Sequence, residues 1–301
     1  RTQASLMREQ NMDVFPLHPS IGTEVRGLEL GPEMPPDIIE QLKELWHERH
    51  VLLFREQTLD DAAQVAFSKH FGTLEILPEP EQRAAAHPEI FRIANTDEAG
   101  NIRPPDDPIG VYMKIVEHWH TDSAYREIPS FGAILRSLAV PPEGGQTQFV
   151  NLLDAFATLP AALRDAVQGR RIVCSYEKTR AVPGEGLVIE TDEVDAHRAA
   201  VMHPIVRRHP DREGQCSLYL SPVNMIGIEG LQAEAAQHLL DELLAWVTQE
   251  CFVYTHQWQA GDVLMWDNRC TMHRVLAYDS VRYPRVMHRT ALVGVERVFA
   301  P

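Results

Sequence analysis

The sequence predicts a mainly β architecture with helical insertions, of the jelly-roll (double-stranded β-helix) kind. Short apolar segments of strand length recur in both halves of the chain. Only a few segments between them show helical periodicity, and no low-complexity tract or internal repeat interrupts the series.

Taken in order, residues 15–30 carry Leu17 between Pro16 and Pro19, then Gly22, Val25, Leu28 and Leu30, which suits short strands and turns. Pro35 and Pro36 open a helix whose apolar positions Ile38, Ile39, Leu42, Leu45 and Trp46 recur at helical spacing. Residues 51–54 read Val-Leu-Leu-Phe, continuously apolar as a buried strand is. A second helix is expected over 60–70, with Ala62, Val65, Ala66 and Phe67 inward and Gly72 closing it. Residues 77–117 are rich in Pro, Asp and Glu and poorly periodic, and are expected to form an irregular lid. Strands are then expected at 133–138, 147–151, 172–176 and 217–220, and helices at 153–167 and 233–248. The second of these helices has a stripe of Ala236, Leu239, Leu240, Leu243, Leu244 and Val247 that reads as core packing. Residues 252–258, 262–266 and 289–295 complete the strands.

The 301 residues are read as a polar tail over 1–13 and one domain over 14–301. Hydrophobic residues make up 44% and charged residues 24%, ordinary for a soluble globular protein. With 43 acidic against 28 basic residues the net charge is −15, which repels phosphate backbones and anionic lipid. Nucleic acid and membrane are therefore not expected partners. A small anionic organic substrate is compatible, because cations inside a pocket override the global field. Cys174, Cys216, Cys251 and Cys270 lie far apart without redox or zinc-knuckle spacing, which points to reduced thiols in a cytoplasmic protein. No apolar run approaches the roughly 20 residues of a bilayer span, and residues 1–13 lack the order of a signal peptide. The oligomeric state is left open, a homo-oligomer included.

The most informative stretch is His118-Trp119-His120-Thr121-Asp122. On an extended strand, side chains two apart share a face, so His120 and Asp122 are able to point at one centre. A distant second His would complete a 2-His-1-carboxylate set that leaves three positions open on iron(II). Alone, His-x-Asp is weak and usually a surface strand or turn. Context comes from residues 261–274, where Gly261 leads into the apolar run 263–266, then a polar break, then His273.

At this point the chain resembles the taurine/2,4-D dioxygenase family of 2-oxoglutarate enzymes. The matching residues are Trp119-His120-Thr121-Asp122-Ser123, Gly144-Gly145-Gln146-Thr147, Trp266-Asp267-Asn268-Arg269 with His273, and Arg285-Val286-Met287-His288-Arg289. Val51-Leu52-Leu53-Phe54-Arg55 and Phe67 through Phe71-Gly72 agree as well, so the resemblance runs from about Phe15 to Val295. It implies a dioxygenase working with Fe(II), 2-oxoglutarate and O2, with release of succinate and carbon dioxide. Carried over by residue, it assigns His120, Asp122 and His273 to the metal, and Thr147 and Arg285 to the far carboxylate of 2-oxoglutarate. It places Arg289 near the chelating carboxylate and an anionic substrate group, with Ser123 and Tyr125 beside the substrate. A guanidinium grips a carboxylate bidentately and a hydroxyl adds a donor. The segment from His273 to Arg285 is one residue longer than the family pattern, which predicts a small loop insertion within 278–284.

Family substrates are small organic anions, including aryloxyalkanoates, N-acyl amino acids, sulfonates and alkyl sulfates. After Phe71-Gly72 the chain reads Thr73-Leu74-Glu75-Ile76-Leu77-Pro78. Taurine-type members carry histidines there, so Glu75 and Leu77 argue for the aryloxyalkanoate side. Alkyl sulfonates or sulfates stay as an alternative, as does a zinc-dependent hydrolase on a jelly roll. Arg83, Arg103 and Lys114 are candidates for a further cation on the lid, and Trp266 and Tyr125 for pocket walls.

Overall fold

The computed structural model describes residues 12–77, 82–104, 106–189 and 199–301. The expected tail, up to residue 11, and parts of the expected lid (78–81 and 105) lie outside the described residues. Strand β1 (Asp13–Pro16) pairs with β2 (Thr23–Arg26), and helix α1 (Pro36–Arg49) leads into β3 (Val51–Phe54). Helix α2 (Asp61–Lys69), strands β4 (Arg83–Ala84) and β5 (His87–Ala94) and helix α3 (Pro108–Ile115) follow. Next come β6 (Gly132–Ala139), β7 (Thr147–Asn151), α4 (Leu152–Ala157), α5 (Ala161–Val167) and β8 (Arg171–Cys174). The chain continues through β9 (Val201–Pro204), β10 (Val206–Arg208), β11 (Cys216–Leu218) and β12 (Met225–Ile228) into α6 (Ala233–Val247). It finishes with β13 (Val253–His256), β14 (Val263–Asp267), β15 (Thr271–Val275) and β16 (Val286–Leu292).

The fold is mostly sheet with helices between. One large sheet runs β1-β2-β3-β14-β6-β16-β5-β4, and a smaller antiparallel sheet runs β13-β7-β15. Apolar residues of β3, β5, β6, β14 and β16 meet Phe149 of β7 and Tyr254 of β13 in the core between them. The other face of the large sheet is covered by α1 and α2 through Ile38, Ile39, Leu42, Trp46, Val65 and Phe67. Period-2 alternation sorts β16: Met287 joins the inter-sheet core, whereas Leu292 joins the helix side. The same rule applied to β7 sends Phe149 to one side and Val150 to the layer that α6 covers.

Two expectations change. The helix expected over 153–167 is two helices, since Pro160 lacks an N–H and disfavours helical geometry at Leu159. Asn151 caps the first, its Oδ1 accepting from Leu153 and Asp154 N–H at 3.0 and 3.1 Å. The irregular reading of 77–117 fails over β5 and α3. Ile90, Phe91, Ile93 and Ala94 are buried because β5 pairs with β16, a partner invisible locally. Asp107 starts α3 by accepting from Ile109 N–H at 2.9 Å.

Candidate active site

His273 lies mid-strand on β15, directly opposite Phe149 of β7. The extended strand expected through His120 and Asp122 is not there. His120 makes a single antiparallel bridge with His273, each N–H donating to the other's carbonyl at 3.0 and 2.9 Å, and the chain turns at once. Buried Thr121 pins that turn: its N–H donates to Ser221 Oγ at 3.1 Å, and its Oγ1 lies 3.0 Å from the carbonyls of Leu220 and Thr271. Ser123 adopts φ +52°, in the left-handed region. Backbone pairing plus a turn, rather than strand alternation, brings Asp122 beside both imidazoles.

The ligand-type atoms of His120, Asp122 and His273 all lie within 4.8 Å of one another. Asp122 Oδ1 is 3.9 Å from His120 Nε2 and 3.8 Å from His273 Nε2. His120 Nδ1 donates to the His118 carbonyl at 2.8 Å, which leaves the Nε2 lone pair free. His118 itself does not line the cleft; its carbonyl does the orienting. Phe149 stacks on the His273 ring at 5.8 Å, and Trp266 packs against it at 4.8 Å. Trp266, expected as a pocket wall, is 1% exposed and braces that imidazole instead. Its Nε1 donates to Asn268 Oδ1 at 2.9 Å, and Asn268 Nδ2 in turn lies 3.4 Å from Asp122 Oδ2.

Electrostatics prepare these groups as donors. Burial holds His273 down at about 3, helped by repulsion from His120, and burial also lowers His120. For Asp122, burial pushes upward, but Arg289 and then both histidines outweigh it, leaving the carboxyl at about 2. Two neutral imidazoles and one carboxylate thus aim lone pairs at a shared point. Arg289 Nη1 donates to Asp122 Oδ1 at 3.0 Å, while its guanidinium carbon sits 4.9 Å over the Phe91 ring. This donor set fits a divalent transition metal.

Arg285 precedes β16 and is 1% exposed. Among the described residues no carboxylate pairs with it. Burial lowers it to about 10, the opposite of what an acid partner does. Its Nη2 lies 3.4 Å from Thr147 Oγ1, and its Nε donates to the Gly145 carbonyl at 3.1 Å. Thr147 Oγ1 accepts from Trp258 Nε1 at 2.9 Å, which leaves the hydroxyl proton to donate elsewhere. Gly144 and Gly145, at φ +75° and +68°, make the close approach possible: a Cβ on Gly144 would stand 2.5 Å from the Ala277 carbonyl oxygen. Residues 278–284, where a small insertion is expected, form a turn held by Asn95. Its Nδ2 donates to the Ser280 and Tyr283 carbonyls, and its Oδ1 accepts from Arg285 N–H at 2.7 Å. A buried, acid-free guanidinium beside a free hydroxyl fits a dicarboxylate's distal end.

A cleft of about 220 Å³ opens onto the triad. Its walls include the expected Ser123, Tyr125 and Arg289; Thr147 and Arg285 are not on them. The lid cations expected at Arg83, Arg103 and Lys114 do not line it either. Arg103 lies 3.3 Å from Asp107, Lys114 lies 3.3 Å from Glu185, and Arg83 donates to the Leu77 carbonyl. Sequence reasoning missed Tyr112, Arg126, Tyr176 and Arg180 on the cleft wall, and Asn95 and Trp258 behind Arg285 and Thr147. Only Arg126 carried a local signal, adjacency to Tyr125; the rest arrive from segments distant in the chain.

Three protein donors with open coordination positions are the mark of non-haem iron oxygenases rather than of closed structural metal sites. Residues 13–291 match the family described as "Taurine catabolism dioxygenase TauD, TfdA family", and the chain belongs to it. It is 32% identical over 272 residues to the alpha-ketoglutarate-dependent 2,4-dichlorophenoxyacetate dioxygenase of Cupriavidus pinatubonensis, covering 88% of this chain and 92% of that protein. It is 31% identical over 293 residues to the alpha-ketoglutarate-dependent sulfate ester dioxygenase of Pseudomonas putida, covering 94% and 90%. The crystal structure of AAD-2 in complex with Mn(II) and N-oxalylglycine superposes with a TM-score of 0.85 at 28% identity, covering 97% of this chain and 100% of that one. The protein is a 2-oxoglutarate-dependent dioxygenase that works with ferrous iron and O2. No helix among the described residues is long and apolar enough to cross a membrane.

Proposed function

We propose that this dioxygenase hydroxylates an aryloxyalkanoate-type carboxylate on a jelly-roll scaffold, with the large sheet and β13-β7-β15 as its two layers. His120, Asp122 and His273 hold the ferrous ion, and Thr147 with Arg285 holds the distal carboxylate of 2-oxoglutarate. When bound, ferrous iron with 2-oxoglutarate and dioxygen supplies the oxidising power that hydroxylates a C–H bond and releases succinate and carbon dioxide. The protein's part is ligation, positioning and exclusion of water. Asn268 and the His118 carbonyl orient two of the ligands, and Phe149 and Trp266 keep the third in place. Arg289 neutralises Asp122 and faces the cleft from β16.

One observation carries the substrate class: the cleft beside the triad is walled by Phe91, Tyr112, Tyr125 and Tyr176 and also carries guanidinium groups. Tyr125 and Tyr176 stand edge-to-face at 4.9 Å, a surface against which an aryl ring packs. Glu75 and Leu77 line the same wall, and Glu75 is taken up by Arg126 at 2.6 Å, so nothing there resembles a histidine-lined sulfonate site. The similarity to the 2,4-dichlorophenoxyacetate dioxygenase supports this reading, and the similarity to the sulfate ester dioxygenase keeps alkyl sulfates as the second one. The 77–117 segment acts as a lid, since Leu77, Gln82, Phe91, Tyr112, Ile115 and Val116 come from it to the cleft wall.

The test is anaerobic addition of iron(II) and then 2-oxoglutarate to the metal-free protein, followed by succinate release with candidate substrates in air. A visible charge-transfer band is expected, then release stimulated by 2,4-dichlorophenoxyacetate or phenoxypropionate. Stimulation by taurine or hexyl sulfate alone would reject the aryloxyalkanoate assignment.

A further inference from the structure

The segment after Gly72 is stitched to the end of β16. Val293 N–H donates to the Thr73 carbonyl and Glu75 N–H to the Ala291 carbonyl, both at 2.8 Å, around a bridge between Leu74 and Leu292. Leu74 is buried with α1 and α2 on the helix side of the large sheet, so alternation turns Glu75 to the opposite face, onto the cleft wall. Arg289 and Ala291, two apart on β16, line the same wall. Backbone pairing thus delivers a carboxylate beside the cation expected to meet the substrate's anion. Arg289 gives Asp122 one N–H at 3.0 Å, and its buried Nε has no hydrogen-bond partner among the described residues. Its other N–H groups are available to an anion in the cleft. The Glu75 charge is one of those acting on that guanidinium.

Glu75 is fixed at its other end by Arg126, whose Nη1 donates to Oε1 at 2.6 Å, and its side chain is only 13% exposed. A partly desolvated carboxylate next to an anion site lowers affinity for every anion. What it adds is discrimination, because its repulsion acts once on a singly charged ligand and twice on a doubly charged one. The charges on the wall agree. Among the described residues, three guanidiniums (Arg126, Arg180 and Arg289) stand against two carboxylates (Glu75 and Asp122), an excess of one positive charge. Arg285 lies off this wall. Ferrous iron and 2-oxoglutarate, when bound, bring equal and opposite charges. One negative charge on the substrate then completes the balance.

We propose that Glu75 is a charge filter, setting this enzyme's preference for singly charged anionic substrates over doubly charged ones. The inference rests on the anionic, aryl substrate class given above. It leaves the grip on that anion to Arg289 and assigns to Glu75 the rejection of a second charge.

The experiment measures equilibrium binding by calorimetry under argon, on protein loaded with Mn(II) and N-oxalylglycine so that no turnover intervenes. The ligands are 2,4-dichlorophenoxyacetate, (2,4-dichlorophenoxy)methanesulfonate and (2,4-dichlorophenoxy)methylphosphonate. The last two share a tetrahedral head, but at about pH 8 the phosphonate carries two charges, its second ionisation lying close to the value of about 6 for a phosphate. In wild type the phosphonate is expected to bind at least roughly tenfold more weakly than the sulfonate. Glu75→Gln keeps an acceptor for Arg126 and removes the charge. It is expected to tighten both monoanions by a similar factor, up to roughly tenfold, and the phosphonate by about that factor squared. Arg126→Gln leaves Glu75 unpaired and is expected to shift affinities the other way, that of the phosphonate most. N-oxalylglycine affinity, measured separately, reports that each variant is folded with its cosubstrate pocket intact; should Glu75→Gln fail that check, Arg126→Gln decides by the same ratio. If wild type binds the phosphonate as tightly as the sulfonate, or Glu75→Gln changes all three ligands equally, Glu75 is no filter, while the substrate class stands. If wild type binds none of the three, the substrate class itself fails and the filter fails with it.

Discussion

Among the described residues, two groups of largely buried side chains have the spacing of a metal site, and only one of them has its chemistry. His120, Asp122 and His273 form the first; His209, Asp267 and Cys270 form the second, with ligand-type atoms within the same 4.8 Å. In the second, Asp267 is saturated. Arg269 donates through Nε to Oδ1 at 2.8 Å and through Nη2 to Oδ2 at 2.7 Å, and the Arg269 backbone N–H adds another bond at 2.8 Å. Burial pushes the Cys270 thiol well up, so no thiolate is on offer. The substrate cleft does not reach the group. Asp122, by contrast, has one guanidinium contact, faces two imidazole lone pairs and opens onto the substrate cleft. Proximity is therefore a poor criterion for a metal centre. Unspent charge and access decide.

The largest expected effect breaks this comparison or upholds it. Asp122→Ala is expected to abolish stoichiometric iron binding, with a loss of turnover beyond the roughly 10- to 100-fold that removal of a supporting hydrogen bond costs at metal sites. Asp267→Asn is expected to leave the iron content of the folded protein unchanged and to destabilise it by up to about 3–5 kcal/mol, because it leaves the buried Arg269 guanidinium with Asp211, a more exposed carboxylate, as its remaining ion pair. Metal analysis and urea denaturation of both variants check this. Loss of iron from folded Asp267→Asn would erase the distinction.

A second experiment separates the triad from the pocket behind it. Arg285→Gln is expected to raise KM for 2-oxoglutarate at least roughly 30-fold, from the 2–5 kcal/mol that an unpaired buried charge costs. Thr147→Val removes a single hydrogen bond to the cosubstrate, worth about 1 kcal/mol, so a roughly fivefold rise is expected. Iron stoichiometry should hold in both. A rise in KM for the organic substrate alone would move Arg285 out of the cosubstrate's grip.

The smallest effect is a pH dependence beside the second group. His50 closes α1 at φ +65°, and its carbonyl accepts from Asp267 N–H at 2.9 Å. Burial lowers its pKa to about 3, and its Nδ1 has no hydrogen-bond partner. The unfolded chain takes up this proton near pH 6.5 and the folded chain only near 3, so stability falls as pH drops through that window. The slope from this group approaches about 1.4 kcal/mol per pH unit below pH 6.5 and averages about 1 between pH 7 and 5. Asn tolerates the left-handed backbone, so His50→Asn is expected to flatten the dependence by that amount in urea midpoints taken between pH 7 and 5. An unchanged slope would show that His50 titrates normally.

Several features were legible along the chain because their causes are local or periodic. Helices α1, α2 and α6 follow from apolar positions at helical spacing, and β3, β7 and β14 from short apolar runs. The order of motifs pointed to His120, Asp122, His273, Thr147 and Arg285, and the folded chain brings the first three together and, separately, the last two. Strand β5 escaped notice because its evidence is its partner β16, and the break at Pro160 was overlooked within a continuous helical stripe.

What the sequence determined alone is residue chemistry and period: which side chains are able to ligate, grip or pack, and which segments form strands or helices. What only the tertiary structure decided is which of those groups remain unspent. Arg126, Arg180, Arg269, Arg285 and Arg289 carry the same guanidinium. Among the described residues, three have a carboxylate neighbour and two do not. That difference arises from pairings across long stretches of chain, where burial and partner geometry, rather than residue type, set the energy of each charge.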